Sequence, residues 1–104
     1  MRKEQLIGTW KRQERNLWIH LQPDGGAVCE TRDPDGRFEK ESATWDYVDA
    51  THWKLKLIIP PQPDVPGLEE GAIDVSDYVV VSFSPQRMEL MLFDYESPFI
   101  YERV

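Results

Sequence analysis

Cysteine, basic charge, long apolar runs and helical periodicity are all scarce in this chain, and each scarcity excludes something. A single cysteine, Cys29, has no partner for an internal disulfide and suits a reducing compartment. No apolar run approaches the roughly 20 residues of a membrane-crossing helix, so no membrane span is expected. The opening "MRKEQLIGTW" carries positive charge with no apolar stretch behind it; it does not read as a secretory signal, and the expected location is the cytoplasm. Lys and Arg number 12 against 19 Asp and Glu, a net charge of −7 that disfavours a nucleic-acid partner. Five of those cations fall within residues 1–15, whereas residues 60–104 hold two cations and nine acids. The basic segment is too short for a polyanion footprint, and the remaining surface is acidic and well solvated.

What is present is turn chemistry and two-residue alternation. "QPDGG" at 22–26, "DPDG" at 33–36, "VDAT" at 48–51, "SPQR" at 84–87 and "YESP" at 95–98 combine residues that set turn angles or bond their own backbone. Between them, Leu17, Ile19 and Leu21 share a face, as do Trp53, Leu55, Leu57 and Ile59; Val79, Val81 and Phe83; and Met88, Leu90 and Leu92. Eight strands follow, at about 9–15, 17–21, 26–32, 37–47, 52–59, 77–84, 88–94 and 99–104. With no helix long enough for a parallel crossover, the expected fold is all-β, a single domain over residues 1–104: an antiparallel up-and-down meander closing into a small barrel, with an open sheet or a sandwich as alternatives, since alternation does not show whether strand eight meets strand one. Residues 2–8 lack alternation and suit one helical turn ending at Gly8. Residues 60–76, with four prolines, form the one long loop and the expected lid.

These features together resemble the lipocalin-like members of the calycin superfamily, particularly small bacterial lipocalin-like domains. The resemblance rests on "GTW" at 8–10, "DGG" at 24–26, the strand around Trp45, "WKLKL" at 53–57, "MELML" at 88–92 and the closing "YERV". It implies that Trp10 packs across one end of the barrel. Relative to classical lipocalins the chain is short and lacks paired cysteines, so the resemblance does not extend to extracellular transport.

Catalytic chemistry finds little support. His20 and His52 alternate away from the apolar faces and have no Cys or His at metal-ligand spacing; "DPDG" lacks the later oxygens of a calcium loop. Neither Gly-x-Ser-x-Gly nor a phosphate-binding loop occurs, and Cys29 reads as a buried small residue beside Ala27 and Thr31. No catalytic residue, metal or cofactor is expected. Inward candidates for lining a ligand site are Trp10, Leu21, Trp45, Trp53, Leu57, Phe83 and Leu90, with Val65, Leu68 and Ile73 available to cover it. Two functions remain open, beside an enzyme using His20 or His52 that would need a carboxylate nearby inside a pocket. In one, a monomer or weak homodimer binds a small apolar or amphipathic molecule in the barrel mouth. In the other, side chains fill the barrel and the protein works as an interaction module through outward residues such as Trp18 and Ile58, or through the proline-rich loop.

Overall fold

A computed structural model describes residues 1–92 and 97–104. The order is α1 (Lys3–Leu6), β1 (Gly8–Arg12), β2 (Leu17–Leu21), β3 (Gly26–Arg32), β4 (Phe38–Asp49), β5 (His52–Ile59), β6 (Ala72–Ser84), β7 (Arg87–Leu92) and β8 (Phe99–Arg103). Each strand pairs antiparallel with the next, and β8 returns to β1 with Trp10 opposite Arg103 and Arg12 opposite Tyr101, closing the barrel. Closure leaves no sheet edge along the paired region. The expected residues 93–94 of strand seven, and Tyr95 and Glu96 of the "YESP" turn, lie outside the described residues.

Successive strands alternate direction, so the connections sort onto two ends. α1 and the turns after β2, β4 and β6 share one end; the connections after β1, β3 and β5 share the other. At the first end the interior is solid. Leu6, Trp10, Leu21, Trp45, Trp53, Met88 and Leu90 are all buried there. Trp10 Nε1 donates to the Leu6 carbonyl at 2.9 Å, tying the helical turn over the ring. Arg103 then clamps the turn: Nη1 donates to the Ile7 carbonyl at 2.9 Å, Nη2 to the Gln5 carbonyl, and the guanidinium stacks on Trp10 at 4.2 Å. Gly8 is required where the helix meets the strand. Its φ is +132°, and a Cβ there would lie 2.5 Å from Arg103 Nη1.

Three expectations are corrected. β1 ends at Arg12 rather than at residue 15, because the chain turns through Glu14 at φ +65°. β6 begins at Ala72, five residues early, so the long connection spans residues 60–71. All four prolines that bar strand pairing precede Gly71, whereas Ile73 and Val75 pair opposite Ile58 and Lys56. Ile73 is therefore a strand residue on the outer face, 65% exposed, and not part of a lid. The phase of β6 also differs: Tyr78 and Val80 face inward while Val79 and Val81 are exposed. A register shift between Val80 and Ser82 restores Phe83 to the inside. In the β2–β3 turn, Gly25 adopts positive φ, +89°.

Candidate functional site

The open end is built from the outer halves of the same strands. Pairing between β4 and β5 runs from Asp49 opposite His52 only as far as Ala43 opposite Leu57. Beyond it, residues 38–42 pair with β3 alone and residues 58–59 with β6 alone, so the two hairpins part. Inside this end lies a cavity of about 320 Å³. That is near the lower bound of small-molecule sites, which hold about 300 to 1,000 Å³.

Its apolar wall is Leu17 and Ile19 from β2 with Leu55 and Leu57 from β5. Alternation carries the polar wall inward. Stepping back by twos from buried Trp45, β4 places Ala43, Glu41 and Glu39 on the inner face; from Tyr78, β6 places Ser76 and Asp74 there. Arg12, Cys29, Thr31 and Tyr101 complete the lining. Arg12 stacks over the Phe99 ring at 4.0 Å. Among the described residues, Glu39, Glu41 and Asp74 are not within ion-pair distance of any cation.

The deeper groups are held neutral. Burial pushes the Cys29 thiol up to about 11, with the Glu41 charge adding to it. Burial likewise raises Tyr78, against hydrogen bonds from Ser76 and Tyr101, and raises Tyr101 well above the usual phenol range. At neutral pH they offer hydroxyls and a protonated thiol. One layer below, the Trp53 ring packs on Tyr78 with centroids 4.8 Å apart. Among the described residues its buried indole N–H has no hydrogen-bond partner.

Of the residues singled out from the sequence, Leu57 lines this cavity. Trp10, Leu21, Trp45, Trp53 and Leu90 form the packed closed end, with Phe83 against them. Val65 is exposed on the 60–71 connection. Leu68 does not reach the cavity but lines a neighbouring cleft between the parted hairpins, with Lys40, Ile58 and Ile59. That cleft and the cavity share Glu41 and Leu57 as a common wall. Charge alone does not mark this lining in the sequence; extending the alternation back from Trp45 locates Glu39 and Glu41.

On the outside, His20 and His52 sit where alternation placed them. His20 lies 3.5 Å from Glu30, and His52 Nδ1 lies 2.8 Å from Asp49. Glu30, buried under its neighbours, is lowered mainly by the hydrogen bond from Arg32, whose Nε lies 2.8 Å away. Trp18 is no free patch, because Lys11 and Arg32 cover its ring at 5.5 and 4.3 Å. The exposed apolar stripe lies elsewhere: Ile58 beside Ile73, then Val75, Val79 and Val81 along β6. Among the described residues no group of three or more His, Cys, Asp or Glu is placed to hold a metal ion, and no helix is long and apolar enough to cross a membrane.

No protein-family model matches the chain, and no curated protein matches it. Solved structures do. A lipocalin-like protein from Bacteroides uniformis superposes with a TM-score of 0.65 at 13% identity, covering 96% of this chain and 99% of the other. An uncharacterized protein from Bacteroides eggerthii superposes with a TM-score of 0.63 at 12% identity, covering 94% and 98%. The fold is that of a lipocalin-like β-barrel, matched over nearly its whole length.

Proposed function

We propose that the protein binds a small amphipathic molecule, without catalysis, in the open mouth of its barrel. The observation that carries this reading is the division of the interior. One end is packed solid around Trp10, Trp45 and Trp53, while the other keeps about 320 Å³ between an apolar wall and a polar one. Carboxylates on the inner face keep this end open to water instead of packing it, which leaves room for a bound molecule. The non-catalytic part of this reading is supported by Cys29, Tyr78 and Tyr101, which burial holds in their protonated forms.

The test is native mass spectrometry of protein purified from its own host, which reports bound molecules and subunit count together, followed by thermal unfolding with a panel of amphiphiles. Leu57→Trp places an indole in the mouth. It is expected to abolish the ligand-induced shift while leaving the unliganded unfolding temperature nearly unchanged. A second reading, an interaction module, is favoured by the stripe along β6, in which Ile73 is 65% and Val81 53% exposed. Absence of any bound molecule, no shift across the panel, and self-association abolished by Val81→Lys would establish that reading instead.

A further inference from the structure

The cavity's lining selects a class of ligand. We infer that the mouth binds an organic cation, an ammonium group carried on an apolar body; this inference rests on the reading of the mouth as a binding site. Three inward carboxylates, Glu39, Glu41 and Asp74, face one guanidinium, Arg12, which is engaged with the Phe99 ring. Among the described residues none of the three carboxylates has a cationic partner within ion-pair distance, unlike Glu30 and Asp46 on the outer face, which meet Arg32 and Lys56. The three carboxylates are open to solvent but share one mouth beside Leu17, Ile19, Leu55 and Leu57, and a cation there relieves their mutual repulsion while its apolar body covers the leucines.

Two alternatives fail on the same residues. A bare metal ion needs several ligands converging on one point, and no such group exists among the described residues. A fatty acid or other anion would bring a fourth negative charge to a rim that already holds three. The surroundings point the same way. The three described connections at this end, residues 13–16, 33–37 and 60–71, carry six carboxylates and two guanidiniums, a field that draws cations toward the mouth. The depth of the site suits an apolar body with a polar tip, since beyond the leucines the Tyr78 and Tyr101 hydroxyls are protonated and able to bond an uncharged group.

The experiment is isothermal titration calorimetry with three probes of one chain length: decyltrimethylammonium, decan-1-ol and decanoate, each below its micelle concentration. The cation is expected to bind about tenfold tighter than the alcohol, the effect of two or three partly exposed ion pairs, with decanoate weakest. Glu41→Gln with Asp74→Asn should bring the cation to the alcohol's affinity and leave the alcohol unchanged, which also shows that the variant is folded. Glu4→Gln with Glu102→Gln changes net charge equally without touching the mouth and should leave all three affinities alone. Alcohol or decanoate binding as tightly as the cation would overturn the cation inference while leaving the mouth a binding site, provided that Leu57→Trp abolishes that binding. Equal loss of cation affinity in both double variants would overturn it too, by showing that net charge and not the mouth is read. Binding of none of the three probes would overturn both readings.

Discussion

Three tryptophans fill the closed end of the barrel, and replacing each with phenylalanine separates packing from hydrogen bonding. Trp10 and Trp53 are fully buried and Trp45 is 2% exposed, so the ring volume lost and the cavity left are alike at all three. Their N–H groups are not alike. Trp10 Nε1 donates to the Leu6 carbonyl at 2.9 Å and Trp45 Nε1 to the Gln22 carbonyl at 2.8 Å, whereas Trp53 Nε1 has no acceptor among the described residues. A buried hydrogen bond contributes about 1 kcal/mol, and leaving its carbonyl orphaned adds about 1 to 3 kcal/mol to the loss. Trp53→Phe instead removes an orphaned donor. Trp10→Phe and Trp45→Phe should therefore each cost about 1 to 2 kcal/mol more than Trp53→Phe. Trp10→Ala, which also strips the surface under Arg103, should cost about 3 to 5 kcal/mol, a large share of a small domain's stability. Urea unfolding followed by far-ultraviolet circular dichroism measures all four with a common slope. A Trp53→Phe loss equal to or above that of Trp10→Phe would refute the hydrogen-bond argument, and a Trp10→Ala loss below about 1 kcal/mol would refute the plug.

Other outcomes follow from the same geometry. Arg103→Ala should free the Gln5 and Ile7 carbonyls and cost about 2 kcal/mol; Gly8→Ala, whose Cβ would displace the same guanidinium, should add less than its own cost on top of it, which a double-mutant cycle in urea measures. With its thiol raised to about 11, Cys29 should react with iodoacetamide at about pH 8 roughly a hundredfold more slowly than free cysteine, and a mouth ligand should slow it further. Asp49 is depressed to about 2, chiefly by its hydrogen bond with His52 and then by the Thr51 amide. Its stabilising contribution is thus complete above the unfolded value near 3.8 and lost as pH falls toward about 2, so Asp49→Asn should flatten the stability profile across that window in acid titrations followed by circular dichroism.

The barrel was legible in the sequence because its strands are short and its turns chemically marked. "DPDG" turns as expected, with the Gly36 amide donating to the Asp33 carbonyl at 3.0 Å, and Met88, Leu90 and Leu92 face inward as their spacing requires. Two things concealed the rest. In "YVVVSF" three consecutive valines erase the alternation, and the irregularity between Val80 and Ser82 lets Val80 and Phe83 face inward although three residues apart. No count of apolar residues recovers that phase, whereas Tyr78 opposite Trp53 does. The site was hidden by a sounder rule. Charged residues belong outside in a packed barrel, and nothing in the types of Glu39, Glu41 and Asp74 marks them as lining, whereas strict alternation from Trp45 and Tyr78 puts them inside.

That exception explains why the two ends behave as separate devices. At the closed end every change removes buried surface or a paired carbonyl, so stability responds there. At the open end β4 and β5 have parted, Glu39, Glu41 and Asp74 are exposed to solvent, and little burial is at stake. Substitutions in the mouth can alter what is bound at small cost in stability, because the two sets share few contacts and their effects should add. The link between them is the layer in which Trp53 packs on Tyr78, directly beneath Leu55. Tyr78→Phe removes a hydroxyl bonded to Ser76 and Tyr101 at the cavity floor and keeps the ring on Trp53, so it should change ligand affinity while the unfolding free energy from urea titration falls by only about 1 to 2 kcal/mol. Loss of both together would show that the floor of the site belongs to the core, and that binding and folding in this barrel are a single equilibrium.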